Sequence, residues 1–238
     1  MTTPVLAVAG HRGGTGRTTT TLALGTLYAA AGLRVGLIDA DPTCALSLLV
    51  PQEEPNLQLT TAKGDVESFE LILMDCPPLH DATSLSCLER ATGVLLTSSA
   101  DLVSLRTLGL ASKLLTLALQ RRRQLEFHGL LLTQYEESDP MQRFLSEEMH
   151  RTDADLFVGV DIPYDAALQL WLEQPSEPLP EGPARDAYLQ LTEELAERLG
   201  LLSRISNYST SIIYSEAYLC VLCSSWGKKA AWAKPPRP

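Results

Sequence analysis

The chain has 238 residues, 45% of them apolar and 20% charged, with a formal net charge of −10. Its length and composition suit one sizeable soluble core with at most a small appendage, and no apolar run approaches the roughly 18–20 residues that span a bilayer. Five of the 19 basic residues and one of the 29 acids lie in residues 201–238, which leaves 14 basic and 28 acidic residues in 1–200. A body of net −14 should repel nucleic acid unless its few arginines are clustered.

The first element is the apolar run Val5-Leu6-Ala7-Val8-Ala9, which predicts a buried strand with no basic leader before it, so no secretory signal is expected. Cysteines at 44, 76, 87, 220 and 223, an odd number, suit thiols in a reducing cytosol, and the expected location is cytoplasmic. Then comes Gly10-His11-Arg12-Gly13-Gly14-Thr15-Gly16-Arg17-Thr18-Thr19-Thr20, followed by a predicted helix over Leu22–Ala31. Strand, glycine loop and helix form the layout of a phosphate cradle: backbone N–H groups turn inward, and the helix N-terminus adds partial positive charge. The spacing follows the P-loop pattern G-x-x-x-x-G-K-[ST], with His11 at the first glycine position and Arg17 at the lysine. Thr18 stands where a hydroxyl ligates Mg²⁺. Alone, the loop also reads as an ordinary strand-to-helix turn.

Gly32 would supply a left-handed cap before the strand Arg34–Asp39, which ends in Asp39-Ala40-Asp41-Pro42. In a parallel α/β sheet ligands bind beyond the carboxyl ends of strands, so both carboxylates would emerge beside the loop. An acidic turn with Asp41 as a helix cap is the other reading. A short strand is possible at Leu57–Thr60, and Phe69–Pro78 holds a third buried strand, ending in Asp75. Further on, Asp81–Ala91 predicts a helix, Gly93–Thr97 a strand, Asp101–Gln124 a long helix and His128–Thr133 a strand. Pro140–His150 predicts a helix and Leu156–Val160 a last strand, and Tyr188, Leu191, Leu195 and Leu199 form an apolar stripe at helical spacing. Strands alternating with helices argue for an α/β fold with a mostly parallel central sheet and helices on both faces.

Three segments carry a more specific resemblance. Arg12-Gly13-Gly14-Thr15-Gly16-Arg17-Thr18-Thr19 resembles the deviant Walker A loop K-G-G-x-G-K-T-T of the ParA/MinD family of P-loop ATPases, with arginine at both lysine positions. Asp39-Ala40-Asp41-Pro42-Thr43 resembles that family's D-x-D-P segment, and Phe69–Pro78 its Walker B strand F-D-x-I-I-I-D-x-P-P. The resemblance covers about residues 4–199 and implies binding of ATP and Mg²⁺. It also implies a homodimer closed on ATP and a ParB-like activator in the positioning of DNA or another cargo, while the two arginines, each a planar fork in place of a point charge, lead to an expectation of slow unassisted hydrolysis. It implies that Asp41 orients the attacking water, that Asp39 supports Mg²⁺ and its waters, and that Asp75 holds a Mg²⁺-bound water. By the same resemblance Arg12 reaches across the dimer and Arg17 touches the β- and γ-phosphates, with Gly13, Gly14, Thr15, Gly16, Thr18 and Thr19 completing the cradle. Pro163, and with it Gln134, is implied at the adenine, although the residues by themselves favour a turn residue and a helix starter. Two alternatives stand beside the switch: a nucleotide-binding scaffold with little hydrolysis, and a MinD-like membrane cycle through Trp226–Trp232, which Pro235 and Pro236 disfavour.

Arg121-Arg122-Arg123, with Lys113 and Arg106, reads either as a non-specific DNA contact or as a solvated helix end favoured by the helix dipole. His11, His80, His128 and His150 show no metal-ligand spacing. Residues 201–238 form an atypical tail, expected to be disordered or a partner-binding extension, and its Cys220-Val221-Leu222-Cys223 is a lone C-x-x-C that would at most bridge a cluster.

Overall fold

A computed structural model describes residues 3–205, apart from 52–53, 62–63, 65, 81, 123 and 176–177. Six strands form one sheet: β1 (Val5–Gly10), β2 (Val35–Asp39), β3 (Leu57–Leu59), β4 (Leu71–Asp75), β5 (Gly93–Ser99) and β6 (Glu126–Thr133), in the order β3-β2-β4-β1-β5-β6. Every neighbouring pair runs parallel. The inner strands β1, β2 and β4 are apolar up to their last residues because both faces are covered. Leu6, Leu37, Leu73, Leu95 and Leu131 point to one face, while Ala7, Ile72, Met74, Val94 and Leu132 point to the other.

On the first face lie α1 (Arg17–Ala30), α2 (Ala45–Leu49), α6 (Ala166–Trp171) and α7 (Pro183–Arg198). The second face carries α3 (Ala82–Leu88), α4 (Leu102–Arg121) and α5 (Pro140–Asp153). Helix α7 lays the expected stripe inward, with Tyr188, Leu191 and Leu195 buried, and the Tyr28 hydroxyl of α1 donates to the Thr192 carbonyl at 2.9 Å. The final helix, α8 (Leu202–Ile205), buries Ile205 in the same core, so ordered packing runs past residue 200. The rest of the tail, with Cys220, Cys223 and Trp226–Trp232, lies outside the described residues, as do Asp81 and Arg123.

Two expectations need correction. Helix α1 begins at Arg17, five residues before the expected start, because the loop geometry at Gly16 fixes its first turn and overrides the low helix propensity of four threonines. The segment Leu156–Val160 is not a strand: a 3-10 turn covers Ala154–Leu156, and only Phe157 bridges to Leu130. Val158 N–H donates to the Leu130 carbonyl at 3.1 Å, but the next bond to β6 comes only from Ile162 to the Leu132 carbonyl at 2.8 Å, so the chain between them leaves the ladder after one pair.

Candidate functional site

The tips of β1, β2 and β4 meet the N-terminus of α1. The loop bends there through positive φ at Gly14 (77°) and Gly16 (73°), a conformation that disfavours any residue with a Cβ. Gly10 is required for another reason: a Cβ there would collide with the Thr15 hydroxyl. Two strand ends clamp the outer edge of the loop. Thr133 Oγ1 donates to the Thr15 carbonyl at 3.1 Å and Gln134 Nε2 to the Gly14 carbonyl at 3.0 Å, while Thr97 Oγ1 lies 3.1 Å from Thr15 Oγ1. With these carbonyls engaged on the β5–β6 side, α1 starts without a side-chain cap on its first-turn N–H groups, as an anion-binding helix start requires.

Three carboxylates face this helix start. Asp39 and Asp75 are register partners at the ends of β2 and β4. Thr18 Oγ1 donates to Asp75 Oδ2 at 2.6 Å, and Asp39 Oδ2 accepts from the backbone N–H and hydroxyl of Ser47, each at 2.8 Å. The remaining oxygens, Asp39 Oδ1 and Asp75 Oδ1, are buried with no hydrogen-bond partner among the described residues. Orphaned buried carboxylate oxygens are costly and mark a place for a cation or its water. Burial raises the Asp75 carboxyl to about 6, with Asp39 and Asp41 adding to the rise and the Thr18 hydrogen bond and Arg17 opposing it. No three Asp, Glu, His or Cys side chains among the described residues close on one metal position. Mg²⁺ is held by one or two carboxylates, phosphates and water, and the orphaned oxygens of the paired Asp39 and Asp75 offer such carboxylates.

Asp41 stands in the loop after β2. Its Oδ1 accepts from the N–H (2.9 Å) and hydroxyl (2.8 Å) of Thr43, and its Oδ2 from Arg17 Nη1 at 3.1 Å. Burial alone would raise this carboxyl, but those hydrogen bonds and the Arg17 charge outweigh it and hold it below the ordinary range. It caps no helix, since α2 starts only after Cys44. Arg17 points across the strand tips, also donating to the Cys76 carbonyl. Arg12 is engaged inside its own subunit, with Asp101, Ser99 and Ser104 around its guanidinium.

Beside the loop opens a shallow cleft lined by Gly16, Thr19, Gln134, Pro163, Tyr164 and Tyr188, among others. Pro163 and Gln134 therefore share one wall, next to Thr19 of α1. Of the DNA candidates, Arg121 is ion-paired to Glu89 at 2.9 Å and Arg122 donates to the Glu89 carbonyl, while Arg106 and Lys113 are exposed along α4. Sequence reasoning missed the supporting residues: Ser47, Thr43, Thr97, Thr133 and the serines around Arg12. Their signal was weak: Thr97, Ser99 and Thr133 are hydroxyls near the carboxyl end of a strand, Thr43 lies in the loop after one, and Ser47 and Ser104 lie in the first turn of the helix that follows.

Residues 6–178 match the model of the CobQ/CobB/MinD/ParA nucleotide binding domain, and the chain belongs to that family. The chromosome partitioning protein ParA of Caulobacter vibrioides is 25% identical over 256 residues, covering 82% of this chain and 94% of that protein. The chromosome-partitioning ATPase Soj of Thermus thermophilus is 26% identical over 243 residues, covering 82% and 96%. Among solved structures, an ATP complex of a Cyanothece McdA variant superposes with a TM-score of 0.70 at 18% identity, covering 84% of this chain and 97% of that one; at that identity it speaks for the fold. No described helix is long and apolar enough to cross a membrane.

Proposed function

We propose that this chain is a ParA-like ATP-binding and hydrolysing switch, closing into a dimer on ATP and positioning DNA or another cellular cargo with a ParB-like partner. The observation that carries this reading is the pairing of Thr18 Oγ1 with Asp75 at 2.6 Å beside two orphaned oxygens, on Asp39 and Asp75, below an uncapped helix start. A helix start of this kind takes the phosphates, and Thr18, Asp39 and Asp75 hold the cation with its waters. Mg²⁺ bound there would neutralise charge on the β- and γ-phosphates. Asp41 is the group to orient a water for attack on the γ-phosphorus, with the bond to the β–γ bridging oxygen breaking to give ADP and phosphate. The cleft with Pro163, Gln134 and Thr19 takes the base.

A second reading has its own support. Asp41 is tied to Arg17 at 3.1 Å, so one carboxylate oxygen is occupied by a charge-assisted contact before any water arrives. This favours slow turnover, and at the limit a nucleotide-binding scaffold. Comparing ATP turnover of the wild type and Asp41→Ala, alone and with an activating partner, separates the two. Loss of turnover in the variant with retained binding supports the switch, and equal turnover refutes the role of Asp41. Arg106 and Lys113, rather than Arg121 and Arg122, are the cations offered to a polyanion such as DNA.

A further inference from the structure

We infer that Ser99, Asp101 and Ser104 form a guanidinium socket that holds Arg12 inside its own subunit and decides when that residue is released toward a second subunit. The release half of the inference rests on the ATP-dependent dimer proposed above; the socket itself does not.

The socket is built from the end of β5 and the start of α4. Arg12 Nη2 donates to Asp101 Oδ2 at 2.6 Å, to Ser99 Oγ at 3.0 Å and to Ser104 Oγ at 3.0 Å, and Nε donates to Ser104 Oγ at 3.1 Å. The two hydroxyls lie 2.7 Å (Ser99) and 2.8 Å (Ser104) from Asp101 Oδ2 and 2.8 Å from each other. Their protons are thus taken up by the carboxylate and by one another, which leaves oxygen lone pairs for the guanidinium. Asp101 Oδ1 is fixed as well, accepting the Ser104 N–H as the cap of α4 at 2.8 Å. Every partner of Arg12 in the socket is therefore oriented by another contact.

Such an arrangement discriminates between the two cations. An arginine presents Nε–H and Nη–H as neighbouring donors of one rigid plane, whereas a lysine has a single terminal ammonium and nothing at the Nε position. The socket thus gives a physical reason for arginine at this position of the loop, where the related pattern has lysine. A guanidinium so engaged is withheld from any other anion. Arg12 and Asp101 nonetheless keep about a third of their side-chain surface exposed, at 37% and 38%, so the arm is able to leave.

The test uses the full chain with Ser99→Ala and Ser104→Ala combined. The cap of α4 survives because Asp101 accepts from a backbone N–H, and Asp101→Asn serves as a second variant that keeps a capping side chain but loses the charge. First, nucleotide-free protein is labelled with an arginine-selective dicarbonyl and the Arg12 adduct is quantified by mass spectrometry against exposed Arg143. Labelling of Arg12 should quicken about fivefold in both variants, the factor set by one net hydrogen bond. Second, self-association is followed by sedimentation with a non-hydrolysable ATP analogue, and the midpoint concentration should fall about fivefold. Unchanged labelling overturns the socket, and unchanged association with quickened labelling overturns its control of release. If the wild type takes up no nucleotide, the ATP reading and the release claim fail together, while the labelling ratio still decides the socket.

Discussion

Arg17 and Asp41 form a buried ion pair across the strand tips, Nη1 to Oδ2 at 3.1 Å, with side-chain exposures of 8% and 9%. One end comes from the first turn of α1 and the other from the loop after β2, so the pair ties the phosphate loop to the segment that the proposed reaction needs. Removing one partner of a buried pair leaves an uncompensated charge and costs about 3 kcal/mol or more. Arg17→Ala should lower stability in urea by about that amount, and Arg17→Lys by less than about 1 kcal/mol, because the contacts to Asp41 and to the Cys76 carbonyl both come from the one nitrogen Nη1 and an ammonium keeps the charge. Equal stability of the alanine variant would remove the pair from the fold's support.

Thr18 donates its hydroxyl to Asp75 without contributing to the core clusters. Thr18→Ala is therefore expected to reduce nucleotide affinity at least about tenfold in the presence of Mg²⁺ and little in its absence. Titrations with and without EDTA check this. An equal loss under both conditions would place the hydroxyl on the phosphate rather than on the cation.

Asp75 contributes a pH dependence of its own. Its folded-state carboxyl titrates at about 6, above the ordinary value of 3.8, so the folded chain holds an extra proton between those values. The Asp75 contribution to the stability of the nucleotide-free protein, read as the difference between wild type and Asp75→Asn, should consequently fall as pH rises from about 4 to about 6, and stay reduced above that. Asp75→Asn should remove the fall and stabilise the free protein at pH 7 by about 1–3 kcal/mol, while abolishing Mg²⁺-dependent nucleotide binding. Thermal denaturation of both proteins across pH 4–8 measures the difference; parallel curves would contradict it.

Thr133→Val keeps shape but loses the bond to the Thr15 carbonyl. The loop then relaxes from the conformation that turns its N–H groups inward. Nucleotide affinity should drop about fivefold, the worth of one net hydrogen bond, with overall stability changed by no more than about 1 kcal/mol. A large stability loss with unchanged affinity would make Thr133 a core residue only.

Much of this site was legible before any coordinates. Gly16 and Thr18 lie in a loop spacing that became specific only beside the two later acidic segments, and Asp39 and Asp75 end apolar strands whose parallel arrangement follows from the alternation of strands and helices. What the residues could not show was partnership across long sequence separations. Arg12 meets Ser104, and Thr15 meets Thr133, through the β1-β5-β6 order of the sheet, which no local pattern encodes. The misplaced strand at Leu156–Val160 has the same origin: its apolar run has the composition of a strand, but after Val158 the chain next meets β6 only at Ile162, beside Leu132. Four threonines after Gly16 likewise hid the start of α1, because propensity is local and the loop's geometry is not.

The most direct measurement is calorimetric titration of the full chain with ATP, with and without Mg²⁺. Uptake of about one nucleotide per chain that requires both Mg²⁺ and the Asp75 carboxylate is the expected result, given a cation site that leaves phosphates to complete its shell. No nucleotide uptake under either condition would contradict the assignment of Gly13–Thr19, Asp39 and Asp75 as a magnesium–triphosphate site.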